Sequence, residues 1–400
     1  MNAEPKGPLD GVRVVELAHV MAGPVCGLML ADMGADVIKV EKPQGDDTRR
    51  MVPPTIEGES AAFMMMNRNK RGVVLDLKDP RGRDALERML READILIENF
   101  RRDTMERMGF GYDRLKAINP RLVYVEISGF GRTGPYADRG GFDLIAQGMS
   151  GLMSITGEGH GRPPVKVGAP VSDITAGILG AMGAAAAYAR RLATGEGQRV
   201  DTSLFEAGIT HTYWQSAIAF ATGVAPGPMG SAHPLNAPYE AFETADGWIT
   251  VGAANQRNWE RLCAILDAPE LLADPRFASN AKRMAHREAL AEGLAGHFRA
   301  RGSAEWLEML EAGDVPAGPV LDVRQMHADP QTRAREMVVS VDHPATGAVE
   351  TIGLPVKFSG TPGGVRRPAP RLGEHTLEVL EAHGVPREDA EAMLRDWTAV

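Results

Sequence analysis

Cysteine is nearly absent from this chain, with only Cys26 and Cys263 among 400 residues. The two lie far apart in apolar helical contexts without metal-ligand spacing. That excludes a disulfide scaffold and leaves each as a buried, inert thiol. Positive charge is also scarce. Lys and Arg total 44 against 53 Asp and Glu, a formal net charge of -9, which excludes a nucleic-acid partner. No run of about 18 apolar residues occurs, and residues 178–188 are too short and too rich in Ala and Gly to span a bilayer. The opening MNAEPKGPLDGVRVVEL has no basic region followed by an apolar core, so neither a secretory leader nor a membrane partner is expected and the chain is placed in the cytoplasm. None of the ten histidines stands in an H-E-x-x-H or G-x-S-x-G context, so neither a metal site nor a Ser/His/Asp arrangement is legible.

What is present is globular. Apolar residues make up 44% and charged residues 24%, at a length suited to two domains or to one large domain with an insertion. Strand patterns at 12–17, 36–41, 72–77, 94–98 and 122–128 alternate with helical patterns such as 24–33 and PRGRDALERMLREA. Such alternation predicts βαβ units, a mostly parallel doubly wound sheet, and ligands beyond the strands' carboxyl ends. The pattern assigns residues 1–200 to a large α/β domain, to which 330–400 return, and 201–225 to a linker helix. GVAPGPMGSAHPLNAP, 223–238, reads as a loop too rich in Pro and Gly for regular structure. A smaller α+β domain follows over 226–329, with a hairpin turn at Asp246-Gly247 and helices near 256–266, 286–300 and 304–312. The crossing SGTPGGVRRPAP, 359–370, reads as an extended segment suited to wrapping a partner.

Three features bear on chemistry. Gly129-Phe130-Gly131-Arg132-Thr133-Gly134 matches a dinucleotide fingerprint, but PYADRGGFD follows it instead of an amphipathic helix. It reads as a tight loop lining a site. Basic residues gather at strand ends: Lys39, Lys42, Arg49 and Arg50, then Arg68, Lys70 and Arg71, then Arg101, Arg102 and Arg107. An acidic protein that binds a phosphorylated ligand must collect cations locally. His19 and His233 lie in Gly/Pro-rich loops where they could touch substrate. The most informative stretch is KVGAPVSDITAGILGAMGAAAAYAR, 166–190, which delivers Asp173 to the mouth of a small-residue helix. As an N-cap, Asp173 would be held ionised by the helix dipole, and the small residues would let a backbone or ligand approach. An ionised, positioned carboxylate suits nucleophilic catalysis.

Five collinear blocks now combine: LDGVRVVELAHVMAGPVCGLMLADMGADVIKVEKPQGDDTRR, NRNKRGVVLDLK, ILIENFRRDTMERMGFGYDRLKAINPRLVYVEISGFGRTGP, APVSDITAG and LGEHTLEVL. Together they resemble the class III CoA-transferases, the family of formyl-CoA transferase and carnitine CoA-transferase, over residues 9–400. The resemblance implies a Rossmann-like large domain, a small domain, and two chains interlocked as rings in a homodimer. It implies coenzyme A and acyl-CoA as substrates, with no permanently bound cofactor and no metal. It places the catalytic aspartate at Asp173 and CoA contacts at Val20, Met21, Lys42, Leu75, Asn99, Phe100, Arg107 and Met108. The formyl-CoA enzyme carries Gln where Met21 stands and a four-glycine loop where 230–234 stands, which argues against formate chemistry here. The chain as a whole looks closest to members that use succinyl-CoA and a four- to six-carbon dicarboxylate. Arg49, Arg71, His233 and Arg257 are candidates for a second substrate carboxylate. α-Methylacyl-CoA racemases share the fold but place His in a GHD sequence, and Gly141-Phe142-Asp143 stands there, which removes one member of an acid/base pair. A non-catalytic CoA-binding protein is the remaining alternative; it would need Asp173 only as a cap.

Overall fold

The computed structural model describes residues 7–56 and 58–398. They divide into two units, one of residues 7–151, 167–211 and 329–398, the other of 152–166 and 212–328. Residues 152–166, which the sequence pattern assigns to the large domain, group with the second unit. The expected linker helix is two helices, Leu204–Thr210 and Tyr213–Thr222, with the boundary between units in the turn that separates them.

The first unit is built on a six-stranded parallel sheet: β1 (Arg13–Glu16), β2 (Asp36–Glu41), β3 (Lys70–Val74), β4 (Ile95–Glu98), β5 (Val123–Ser128) and β6 (Arg199–Ser203). Their order is β3-β2-β1-β4-β5-β6. Val14, Val37, Ile95 and Val125 pack one face against α1 (Ala22–Asp32), while Val15, Ile38, Leu96 and Tyr124 pack the other against α2 (Pro80–Glu92). Neighbours in sequence serve opposite cores because side chains alternate across a strand. Val379 and Leu380 of Thr376–Ala382 and Met393 and Trp397 of Arg387–Thr398 join the second core, so the chain's end returns to this unit.

The 24-residue helix α3 (Val171–Thr194) lies beside α1. It is long and apolar enough to cross a membrane by composition alone, yet Ala176, Ala181, Ala184 and Ala187 sit in the sheet's core. Its glycines permit backbone contact. A Cβ on Gly177 would stand 2.6 Å from the Ala22 carbonyl oxygen, so the close approach is that of α1.

The segment 359–370 is held by its own unit. Gly364 N donates to Asp32 O (2.8 Å), and Asn69 Oδ1 accepts from Arg366 N (2.7 Å) and Arg367 N (2.9 Å). Asn69 presents one acceptor to two successive donors, so these amides of the segment are satisfied within the chain.

The second unit carries an antiparallel sheet in the order Tyr239–Glu243, Trp248–Gly252, Ala317–Pro319, with the hairpin closed at Thr244 and Gly247. Phe242, Trp259, Phe298 and Trp306 form its core with Leu262 and Leu294. Tyr213–Thr222 contributes no buried residue, and Phe220 is 90% exposed.

Candidate active site

The carboxyl ends of β1 to β5 carry the site, as expected for a parallel sheet. Two cavities open there. The larger, about 430 Å³, is lined by Ala18, His19, Lys39, Lys42, Asp46, Leu75, Phe100 and Met108 among others. The smaller, about 180 Å³, is lined by His19, Val20, Met21, Asn99, Phe100, Gly129, Phe142 and Asp173 together with four arginines. His19 and Phe100 line both, with ring centroids 5.4 Å apart.

Eight of the nine residues expected at the site line one cavity or the other. Arg107 lines neither. It is exposed at the end of the short helix Thr104–Arg107 and donates to Thr104 Oγ1 (3.0 Å). Lys42 pairs at the surface with Asp47 (2.9 Å). Asn99 is a clamp on the neighbouring loop: its Oδ1 accepts from His19 N (3.0 Å) and its Nδ2 donates to His19 O (2.7 Å).

Asp173 departs from the expected cap. Pro170 holds the N-cap position of α3, and Asp173 is the third helical residue. Capping falls to Asp143, whose Oδ1 accepts from Ser172 N (2.9 Å) while its Oδ2 accepts from Gln147 Nε2 (2.8 Å). Asp173 thus keeps its carboxylate uncommitted in the cavity, with no hydrogen bond or ion pair to any described residue. Burial, with the Asp143 charge added, pushes its pKa up to about 6. A carboxylate of that pKa is ionised at neutral pH and still basic enough to attack.

Most of the basic residues noted at strand ends are already spent. Lys39 is fully buried between Glu16 (3.1 Å) and Asp46 (2.8 Å), and Lys70 pairs with Glu16 from the other side (2.8 Å). Burial opposes the charge on Lys39, but Glu16, Asp46 and Glu41 outweigh it and hold the ammonium above the usual lysine range. Burial pushes Lys70 down to about 8. Arg49 is bound bidentately by Glu41 and Arg71 by Asp36, and Arg68 is buried against Asp32. Arg49 and Arg71, read from sequence as anchors for a substrate carboxylate, are therefore engaged elsewhere, while His233 and Arg257 belong to the second unit.

The arginines that line the same cavity as Asp173 are Arg101, Arg102, Arg132 and Arg139, and none of them pairs with it. Arg132 is buried against Glu98 and Glu126, and Arg102 pairs with Asp138. Arg101 and Arg139 have no carboxylate partner among the described residues, although Arg139 lies over the Tyr136 ring at 4.0 Å. Sequence reasoning passed over Arg132 and Arg139, and their place in the glycine loop after β5 was the available signal.

That loop does line the cavity. Gly131 and Gly134 have positive φ, and Gly129 packs so closely on Gly141 that a Cβ on it would stand 2.7 Å from the Gly141 Cα. The next helix begins only at Asp143. Gly129 therefore serves a close backbone crossing, while Gly131 and Gly134 supply positive-φ turns, and no helix opens at the third glycine. His19 proves to be a cavity residue whose pKa is lowered by burial, against the pull of Asp46. Phe142 stands on the cavity's rim, 76% exposed. Among the described residues no group of three or more His, Cys, Asp or Glu is arranged to hold a metal.

A parallel sheet thus carries cavities at its carboxyl ends, and one of them holds an uncommitted carboxylate of raised pKa. Comparison with known proteins supplies the class. Residues 9–376 match the model of CoA-transferase family III. The chain is 42% identical over 382 residues to the succinate–glutarate CoA-transferase of Agrobacterium fabrum, covering 94% of this chain and 95% of that one. It is 41% identical over 394 residues to the succinyl-CoA:mesaconate CoA-transferase of Haloarcula hispanica, covering 95% and 97%. A CAIB/BAIF family protein from Brucella suis superposes with a TM-score of 0.83 at 40% identity, covering 94% of this chain and all of that one. The chain belongs to CoA-transferase family III and is a CoA-transferase.

Proposed function

We propose that the enzyme moves coenzyme A from succinyl-CoA to a four- to six-carbon dicarboxylate, with Asp173 as the nucleophile. The observation that carries this reading is the Asp173 carboxylate, uncommitted in a cavity with its pKa pushed up to about 6. The relatives named for glutarate and mesaconate support the substrate class. Arg101 and Arg139 supply positive charge for an anionic substrate beside that carboxylate.

The sequence of bonds follows. An Asp173 oxygen attacks the thioester carbonyl, the C–S bond breaks, and a mixed anhydride and CoA thiolate result. The thiolate then attacks the Asp173 carboxyl carbon, releasing succinate and leaving an aspartyl-CoA thioester. The acceptor carboxylate attacks that thioester to form a second anhydride, from which the thiolate takes the new acyl group. Both intermediates demand exclusion of water and donors for the developing oxyanion. In this reading the larger cavity takes the nucleotide end of CoA, and the pantetheine arm passes His19 and Phe100 to Asp173. Val20, Met21, Lys42, Leu75, Asn99, Phe100 and Met108 are its contacts, and CoA enters and leaves as substrate, with no resident cofactor.

The strand order supports a Rossmann-like, doubly wound large domain. Tyr213–Thr222, apolar and without a buried residue, supports an interlocked homodimer. Association of that kind resists dilution because folding and assembly are coupled. Light scattering at micromolar concentration should give a dimer, and a stable 43 kDa monomer would exclude it.

Transfer from succinyl-CoA to glutarate tests the reaction. Hydroxylamine added during turnover should convert Asp173 to a hydroxamate detectable by peptide mass. Turnover without any trapped or CoA-linked form of Asp173 would remove it from the nucleophile's role. A chiral 2-methylacyl-CoA in D₂O should take up no deuterium at its α-carbon, since Phe142 stands where a racemase carries its histidine.

A further inference from the structure

Val20 is strained. Six non-glycine residues among those described have positive φ, and Val20, at 69°, is the only β-branched one. A β-branched side chain crowds its own backbone in that region, and such strain persists only where surrounding contacts over-determine it.

Those contacts are present on every side. Lys39 Nζ donates to Ala18 O (2.9 Å), and Asn99 binds both the N–H and the carbonyl of His19. Val20 N itself donates to Asp46 Oδ1 (3.2 Å). Asp46 is fixed in turn. It pairs with the buried Lys39 (2.8 Å), accepts from Thr48 N (2.9 Å) and Thr48 Oγ1 (2.8 Å), and its own amide donates to Glu41 Oε2 (2.8 Å). Gly27 on α1 leaves room for Glu16, which completes the buried charge group, since a Cβ there would collide with the Glu16 carboxylate. A substantial buried apparatus ends on one amide, and that amide belongs to a residue lining the Asp173 cavity.

We infer that Asp46 is a positioning residue for acyl transfer: it holds Val20 in the left-handed conformation and so sets where the Val20–Met21 backbone stands against Asp173. The inference rests on the assignment of Asp173 as nucleophile. With Val20 so held, the chain enters α1 at Ala22 with Met21 and Ala22 lining the same cavity. Their amides have no acceptor among the described residues. Release of Val20 to an extended conformation would swing this backbone away from the reacting carbonyl, whereas Lys42, Leu75 and Met108 of the larger cavity stand after other strands. Acyl-CoA would still bind. Chemistry would slow.

Glycine gives the test, because it adopts the left-handed conformation without the clash that valine suffers. In a Val20→Gly background the turn no longer depends on Asp46. Steady-state kinetics with succinyl-CoA and glutarate should show Asp46→Ala lowering kcat at least tenfold in the native background, with any change in KM for succinyl-CoA, which Asp46 can cause by lining the larger cavity, the same in both backgrounds. In the Val20→Gly background the same substitution should lower kcat less than threefold. Equal losses in the two backgrounds, no loss of kcat, or a loss confined to KM would each overturn the inference. Should Asp46→Ala fail to fold, Asp46→Asn serves, since its Oδ1 still accepts from Val20 and Thr48 and most of kcat should survive. A loss above tenfold in Asp46→Asn that Val20→Gly does not reduce would show that Asp46 acts through its charge, which also overturns the proposal. Asp173→Asn separates the two readings: a variant at Asp173 that stays active sinks the nucleophile assignment whatever Asp46 does.

Discussion

Asp46 and Asp173 are both largely withdrawn from water in the same unit, and their acidities move in opposite directions. For Asp46, burial is outweighed by the Lys39 ammonium and the Thr48 donors, so its carboxyl lies well below the usual carboxylate range. For Asp173, burial meets no cation and no donor, and Asp143 adds a like charge, so its pKa climbs to about 6. Burial alone does not assign a role; partners do. A carboxylate with its charge matched is a structural strut, whereas one left unmatched stores reactivity at some cost to the fold.

Removing the unmatched charge has the largest expected effect. Asp173→Asn should lower CoA transfer by at least about a thousandfold, because an amide cannot form the anhydride. It should also stabilise the protein. The raised pKa means that ionised Asp173 destabilises the fold as pH rises from about 4 to about 6, and fully above that. Asparagine should therefore gain on the order of 1 kcal/mol at pH 7, allowing for partial exposure, and nothing at pH 4. Denaturant titrations at the two pH values check both signs. An inactive variant with no stability gain would mean that the acidity of Asp173 is ordinary.

The matched side should behave in the opposite way. Lys39→Met leaves Glu16 and Asp46 short of a buried cation and should destabilise the fold by about 3–5 kcal/mol, read as a lower unfolding midpoint. A variant as stable as the native protein would show that the buried charge group is not what holds the loop.

The pH profile is a smaller but sharper probe. Only ionised Asp173 attacks, so kcat/KM should fall as pH drops through about 6, approaching tenfold per unit below it. An acid limb near pH 4 would return Asp173 to the ordinary range and end the contrast with Asp46.

The smallest effect is expected at Arg107, which lies outside both cavities. Arg107→Ala should raise KM for every acyl-CoA donor by a similar factor, no more than about threefold, and less at high salt, as for an exposed charge. A change in which acid is accepted would place Arg107 at the acyl site.

The parallel sheet was legible because β1 to β5 each carry a short cluster of Val, Ile or Leu of the kind a strand buried on both faces requires, even where Lys39 or Glu126 interrupts it. β6 was not. Its sequence, RVDTS, has no apolar run, and as an edge strand it pairs only with β5, so polar residues suffice there. Asp173 was visible from its small-residue helix, but its position in the first turn was not. A capping reading fits any Asp before a helix, and only the arrival of Asp143 from 30 residues upstream frees Asp173. Arg49 and Arg71 misled for a related reason: a cation at a strand end looks available until its carboxylate partner is seen in space.

Local pattern, then, determined the alternation of strands and helices, the hairpin at Asp246-Gly247 and the small-residue helix that draws the eye to Asp173, since hydrophobic periodicity and turn residues act over a few positions along the chain. Tertiary structure decided which charges cancel. Lys39 pairs with Asp46 and Arg49 with Glu41, Asp143 accepts from the Ser172 amide, and the Asp173 carboxylate has no hydrogen bond or ion pair to any described residue. An ion pair or a desolvated carboxylate depends on distances through space, and those exist only after the sheet has set its strands side by side.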